Sequence, residues 1–168
     1  YNNGSSPTLK NVIITDNNAT DPSDRAIVNE DGSSVPEISY SFVESSFSLT
    51  MIGGVINWVW DDSIGNNNGG NITVSPTFID TDGPDDIPGT QDDNLRLHPN
   101  SSAIDRGDNA SIPPGVTTDL DLKQRIRDGD YNGSLIVDMG AYEKINYPPV
   151  DVNHDERTNL RDLITILK

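Results

Sequence analysis

Two stretches of this chain repeat each other, and the repetition limits the fold more than any other feature. Gly4-Ser5-Ser6-Pro7-Thr8-Leu9-Lys10-Asn11-Val12-Ile13 aligns with Gly32-Ser33-Ser34-Val35-Pro36-Glu37-Ile38-Ser39-Tyr40-Ser41-Phe42. The offset is 28 at the glycines and 29 from the prolines onward, once Val35 is inserted. A period of this length signals stacked units, because one such unit cannot bury its apolar face alone. Each unit is a Gly-Ser turn, a Pro and then a strand. Alternation is expected to turn Leu9 and Val12, or Ile38, Tyr40 and Phe42, toward one interior. Helical spacing is absent and β-branched residues dominate, so the units read as strands. Tyr1-Asn2-Asn3 aligns with Val28-Asn29-Glu30. The chain is therefore expected to begin partway through a repeat, as the C-terminal piece of a longer protein.

The units resemble the tandem coils of secreted bacterial β-helix proteins, in which an Asn/Ser-Pro-led strand motif recurs. That resemblance implies a right-handed parallel β-helix, one coil per repeat, over residues 1–74. Within this span, Trp58 and Trp60 in Gly53-Gly54-Val55-Ile56-Asn57-Trp58-Val59-Trp60 lie two apart, so on a strand they share a face. Either they form an aromatic platform for a sugar ring, or they cover the side or open end of the stack. Asp61 to Gly70, rich in Asn and Gly, reads as a flexible loop.

Residues 75–147 alternate short apolar runs with acidic, Gly/Pro-rich turns, the pattern of a loop-rich β module. The span opens on Pro76, Phe78 and Asp80. It continues through Leu95-Arg96-Leu97, Pro99, Ser102-Ala103-Ile104-Asp105 and Gly107-Asp108. Asp119, Asp121, Arg125 and Asp128-Gly129-Asp130 follow, and Asp138-Met139-Gly140-Ala141-Tyr142-Glu143 closes it. This succession is similar to the module, often called choice-of-anchor Q, that ends many bacterial surface and secreted β-helix proteins. It implies an extracellular, anchored, mostly non-catalytic role. Asn100 stands before Ser101 where that module usually has Gly. Chemically, Asp128, Asp130 and Asn132 put oxygen side chains at every second position before Gly133, the first half of a calcium loop that Asp138 would close. Asp80 and Asp82 open a second such loop before Gly83. The alternative is that Asp and Gly gather here because turns accept them.

Residues 148–168 form the third span, after a stiff Pro148-Pro149 hinge. Asp151, Asn153, Asp155, Asn159 and Asp162 occupy positions 1, 3, 5, 9 and 12 of an EF-hand-like loop, and the Arg157 carbonyl position 7. The stretch resembles the first calcium loop of a type I dockerin, with Glu156 in place of the usual Gly. Leu160, Leu163, Ile164 and Leu167 then follow at helical spacing, an amphipathic helix of about two turns. Its apolar stripe is expected to dock on the β module or on a protein partner. A dockerin needs two such loops, and one is present.

Charge sorts the function classes. A formal net charge of −16 argues against nucleic acid, which needs a basic surface. So many carboxylates suit a divalent cation, and Ca²⁺ is the expected cofactor. There is no cysteine and no apolar run of membrane-spanning length. Sequons begin at Asn3, Asn18, Asn71, Asn100, Asn109 and Asn132, which fits an extracellular or cell-surface glycoprotein. His98 sits in a Leu-His-Pro strand end with no Ser or Cys nucleophile motif, and reads as structural.

The expected fold is therefore all-β: the C-terminal coils of a parallel β-helix, a loop-rich terminal module and a short loop–helix. The expected function is a non-catalytic structural component of a surface, matrix or filament. Its partners would be neighbouring coils of the parent chain or other subunits. Two alternatives are an accessory part of a polysaccharide lyase or hydrolase held in a complex by the dockerin-like tail, and a carbohydrate-binding module.

Overall fold

The computed structural model describes residues 4–17, 26–29 and 34–145. Among them the chain is all-β. Its strands are β1 (Thr8–Lys10), β2 (Ile13–Ile14), β3 (Glu37–Ser39), β4 (Phe42–Val43), β5 (Phe47–Ile52), β6 (Val55–Trp60), β7 (Asn66–Asn67), β8 (Phe78–Asp80) and β9 (Asn94–Leu97). One 3₁₀ turn, Asn109–Ser111, is the helical element of the described residues. None of the described helical structure is long and apolar enough to cross a membrane.

The repeat appears as pairing. β1, β3 and β7 lie side by side in parallel, with Thr8 opposite Glu37 and Glu37 opposite Asn66. β2 and β4 pair the same way, Ile13 opposite Phe42. Side chains keep the same step. Ser34 Oγ accepts from the Ser5 N–H, Ser6 Oγ from Val35 and Ser41 Oγ from Val12, each bond joining residues 29 apart. Asn11 (φ 56°), Tyr40 (φ 48°) and Gly69 (φ 88°) turn the backbone at equivalent points of three successive units. In that left-handed region a non-glycine residue gives up about 1–2 kcal/mol.

These corners correct one expectation. Ile38, Val43 and Ile64 form an apolar core, with Leu9, Ile14, Ala26, Ile27 and Trp60 packed against it. Tyr40, at the corner, is exposed rather than inward. Phe42 is buried, but it precedes Val43 on a strand and so faces the opposite side, as does its register partner Ile13. Simple alternation does not carry across a left-handed residue.

A third unit also lies where a flexible loop was expected. Asn67 stands opposite Ile38, and β7 (Asn66–Asn67) is held by amides on either side of it: the Glu37 carboxylate accepts from Asn66 Nδ2 at 2.7 Å and from Asn68 Nδ2 at 2.5 Å. The chain enters this unit through Gly65, where a Cβ would lie 2.4 Å from the Pro36 carbonyl oxygen. No other residue fits such an approach. Between the second and third units, β5 and β6 form an antiparallel hairpin closed by Gly53 (φ 60°) and Gly54 (φ 83°), the two left-handed residues of a tight hairpin turn.

From Val74 on, the chain lies against the other side of the units. Leu97, Ala103, Ile104 and Met139 make a second core, onto which Ile13, Ile72 and Phe78 pack. β8 and β9 pair antiparallel. Beyond them, regular pairing shrinks to single bridges, Thr118 with Gln124 and Arg127 with Ile136. Asn11 fastens the two parts. Its Oδ1 accepts from the Asp108 N–H at 2.7 Å, its Nδ2 donates to the Asp108 carbonyl at 3.0 Å, and its carbonyl accepts from Gly140 at 2.8 Å.

Candidate metal centre

With few strand ladders, residues 99–145 must satisfy their backbone otherwise, since buried N–H and C=O groups left unpaired are costly. Buried ionic side chains supply the partners. Asp119 Oδ1 accepts from the N–H groups of Asp121 and Lys123, and its Oδ2 from Glu143 at 2.8 Å. Arg125 pairs with Glu143 through Nη1 and donates from Nη2 to the Gly140 carbonyl at 2.6 Å. Asp138 Oδ1 accepts from the Asp105 N–H at 2.7 Å and its Oδ2 from Lys144 at 2.6 Å. Burial pushes the Glu143 carboxyl up to about 8, with the Asp138 charge adding to the push and the Arg125 guanidinium opposing it. Burial raises Asp138 as well, against the donated N–H bonds.

Next to this network, Asp105, Asp128 and Asp130 converge, each offering a carboxylate oxygen within 4.8 Å of the others. Asp105 is buried, Asp128 half-buried and Asp130 exposed. Both Asp105 oxygens accept from the Gly129 N–H at 3.0 Å, so the loop is drawn down onto Asp105. Gly129 permits this: a Cβ there would meet Ile104 at 2.8 Å. Asp128 accepts from the N–H groups of Asn132 and Gly133. Burial, first, pushes the Asp105 carboxyl up to about 6. The Gly129 N–H opposes that push, and the charges of Asp138 and Asp130 add to it. Three hard oxygen donors suit Ca²⁺, though they are fewer than the six to eight such an ion takes.

Of the loop expected from sequence, Asp128 and Asp130 meet. The Asn132 oxygen accepts from Ser134, and its Nδ2 turns toward Asp130. Asp138 lies one step behind, holding the Asp105 backbone. Asp105, the third member, was not anticipated; nothing in the local spacing ties it to a loop 23 residues later. Asp80 and Asp82 come together as a pair, and the hydrogen bond between their carboxyls is the main cause raising Asp82. Asp151, Asn153, Asp155, Arg157, Asn159 and Asp162 lie outside the described residues.

Trp58 and Trp60 do share a strand, β6. Trp60 meets Phe47 edge-on at 5.1 Å between ring centroids, and its Nε1 donates to the Gly65 carbonyl at 2.7 Å. Trp58 is exposed. Among the sequons, the Asn71 amide is built into the fold, donating to Ile38 and accepting from Ser41. Asn109 likewise donates to Leu135 and accepts from Val137. Asn100 is exposed in the turn after β9. Asn3 and Asn18 lie outside the described residues. His98 accepts from the Asn100 N–H at its strand end.

No protein-family model matches this chain, and no curated protein or solved structure shows significant similarity to it.

Proposed function

We propose that this chain is a non-catalytic structural part of an extracellular or cell-surface protein: the last coils of a right-handed parallel β-helix, closed by a terminal module and stiffened by Ca²⁺. The observation that carries the reading is the constant step of 29 residues. It recurs in the strand pairs and in the serine bonds between units. Stacking at a fixed step builds a rod whose length grows with copy number, a scaffold's geometry. The buried carboxylates add support. Asp119 and Asp138 spend both oxygens on backbone N–H groups, which leaves them committed to holding loops rather than to moving protons. Asp105, Asp128 and Asp130 would take the ion, with further ligands from solvent.

Two measurements test this together. Ca²⁺ should raise the thermal midpoint of the protein, and Asp128→Asn with Asp130→Asn should abolish the rise. Pectin, alginate and chitin should be left intact. Turnover of any of them that disappears in Asp105→Asn would overturn the structural reading in favour of catalysis at the same carboxylates.

A further inference from the structure

The β5–β6 hairpin is an apolar surface in a chain otherwise crowded with charge. No residue from Phe47 to Trp60 is ionisable. The register places Phe47 opposite Trp60, Leu49 opposite Trp58 and Met51 opposite Ile56, and cross-strand partners share a face. Every side chain on that face is apolar. Its root is covered, since Trp60 packs on the core of the units. Its outer two rungs are open: Leu49 is 60% exposed, Met51 71%, Ile56 65% and Trp58 52%. These four side chains present roughly 500 Å² of contiguous apolar surface, in the upper part of the range for the largest apolar patch of a monomer, which is often functional. A two-stranded hairpin is marginal in water without something packed on it.

We infer that the outer face of the β5–β6 hairpin is the docking site for the chain's own C-terminal segment, Leu160 to Leu167. Leu160, Leu163, Ile164 and Leu167 recur in sequence at helical spacing, and a helix of only about two turns would need a surface to pack on. Dimensions agree. A helix of eight residues would span about 12 Å, and the open part of β5, Leu49 to Ile52, spans about 13 Å. Reach is sufficient, because the residues between Ile145 and Leu160 cover up to about 50 Å, against a radius of gyration of about 15 Å for a compact chain of this length. Charge agrees too. Residues 157–168 carry three basic residues, Arg157, Arg161 and Lys168, and one acid, Asp162, in a chain of net charge −16. Glu44, Asp61 and Asp62 flank the hairpin in sequence.

The same facts weigh against other occupants. A second copy would bring its own charge of −16 to the interface, and like charges oppose association. A tethered segment also works at an effective concentration of about millimolar. A sugar needs convergent polar groups; this face offers the single indole N–H of Trp58, since the Trp60 Nε1 is already spent on Gly65.

The two tryptophans of the chain both lie on this hairpin, so tryptophan emission, excited beyond the absorption of the five tyrosines, reports on it. In the full chain, Leu163→Asp with Leu167→Asp should shift tryptophan emission to the red. It should also speed amide exchange of β5 and β6 by about tenfold or more, with β1 and β3 unchanged. Because the chain has no cysteine, Met51→Cys with Leu163→Cys offers an independent trap. Mild oxidation should give an intramolecular disulfide in a monomer. Unchanged emission and exchange in the aspartate variant, or no intramolecular disulfide in the cysteine pair, overturns the proposal. Emission that depends on protein concentration, with disulfide-linked dimers, overturns it in favour of a second copy. A blue shift on adding glycan, equal in native and aspartate chains, overturns it in favour of a sugar.

Discussion

The two halves of this molecule solve the same problem by different means. The described residues up to Ile72 satisfy much of their backbone through parallel strand pairs and the β5–β6 hairpin, and bury Ile38, Val43 and Ile64. Residues 75–145 have one hairpin and a smaller share of regular pairing, and they lean on Asp105, Asp119, Arg125, Asp138 and Glu143 as buried partners for loop N–H and C=O groups. The comparison shows what regularity supplies. A repeating backbone bonds to its own neighbours, whereas an irregular one needs side chains placed singly, each hard to replace. Failure should therefore be graded in the units and abrupt in the module.

The largest expected effect tests that difference directly. Arg125→Met removes the cation beside the buried Glu143 carboxyl, leaving it the Asp138 N–H, and frees the Gly140 carbonyl; breaking such a buried pair costs about 3–5 kcal/mol. Ile38→Ala in the units should cost about 2–5 kcal/mol through its cavity. Hydrogen exchange separates the outcomes. Arg125→Met should expose Asp119 to Glu143 while β1 and β3 stay protected. Loss of protection in both parts at once, for either variant, would show one cooperative unit, joined through Asn11 and the packing of Ile13 on the second core, and would break the comparison.

The same contrast governs how much was legible in the sequence. The repeat was readable because Pro7 and Pro36, and the strands after them, recur with similar residues. Its third copy was not, because Asn67 stands where Leu9 and Ile38 carry the apolar signal, and its neighbours Asn66 and Asn68 hold the strand through Glu37. Corner positions were hidden as well: Asn11, Tyr40 and Gly69 are three different residues with one backbone conformation. In the module, Asp128 and Asp130 were visible as a loop because their spacing is local. Asp105 was not, since only the folded backbone brings it to Gly129. The hairpin's second tryptophan strand was readable, but its partner, Phe47 to Ile52, carried no turn signal beyond Gly53-Gly54.

A second, smaller effect sharpens the comparison through pH. Asp105 in the module has its carboxyl raised from 3.8 to about 6, chiefly by burial. A raised value means the folded state holds the proton more tightly. The contribution is fully present below pH 3.8 and is lost as pH rises through about 6, a swing of about 3 kcal/mol in metal-free protein. Glu37 in the units moves the other way, lowered from 4.5 first by the Asn66 amide and then by Asn68. Its smaller contribution is present above pH 4.5 and fades as pH falls. Urea unfolding of metal-free protein between pH 4 and 7 should show the module losing stability upward, with the raised Glu143 and Asp138 contributing in the same direction, and Asp105→Asn should lessen that slope by the Asp105 share. A slope that the substitution leaves unchanged would assign it wholly to Glu143 and Asp138.

The smallest effect probes the corner equivalence itself. Tyr40 adopts φ 48°, a conformation in which most side chains lose about 1–2 kcal/mol and in which Asn loses less. The equivalent corner one unit earlier is already Asn11, and one unit later it is Gly69. If the three positions are interchangeable, Tyr40→Asn should leave stability within about 0.5 kcal/mol of the native chain, relief of strain offsetting lost contact between the Tyr40 ring and Gly70. Tyr40→Val should destabilise by about 1–2 kcal/mol, since a β-branched side chain crowds a left-handed backbone. Matched urea curves for the two variants decide it. A Tyr40→Asn chain as unstable as Tyr40→Val would mean that ring packing, not backbone conformation, selects the corner residue. The units would then be alike in pairing but not in how they turn.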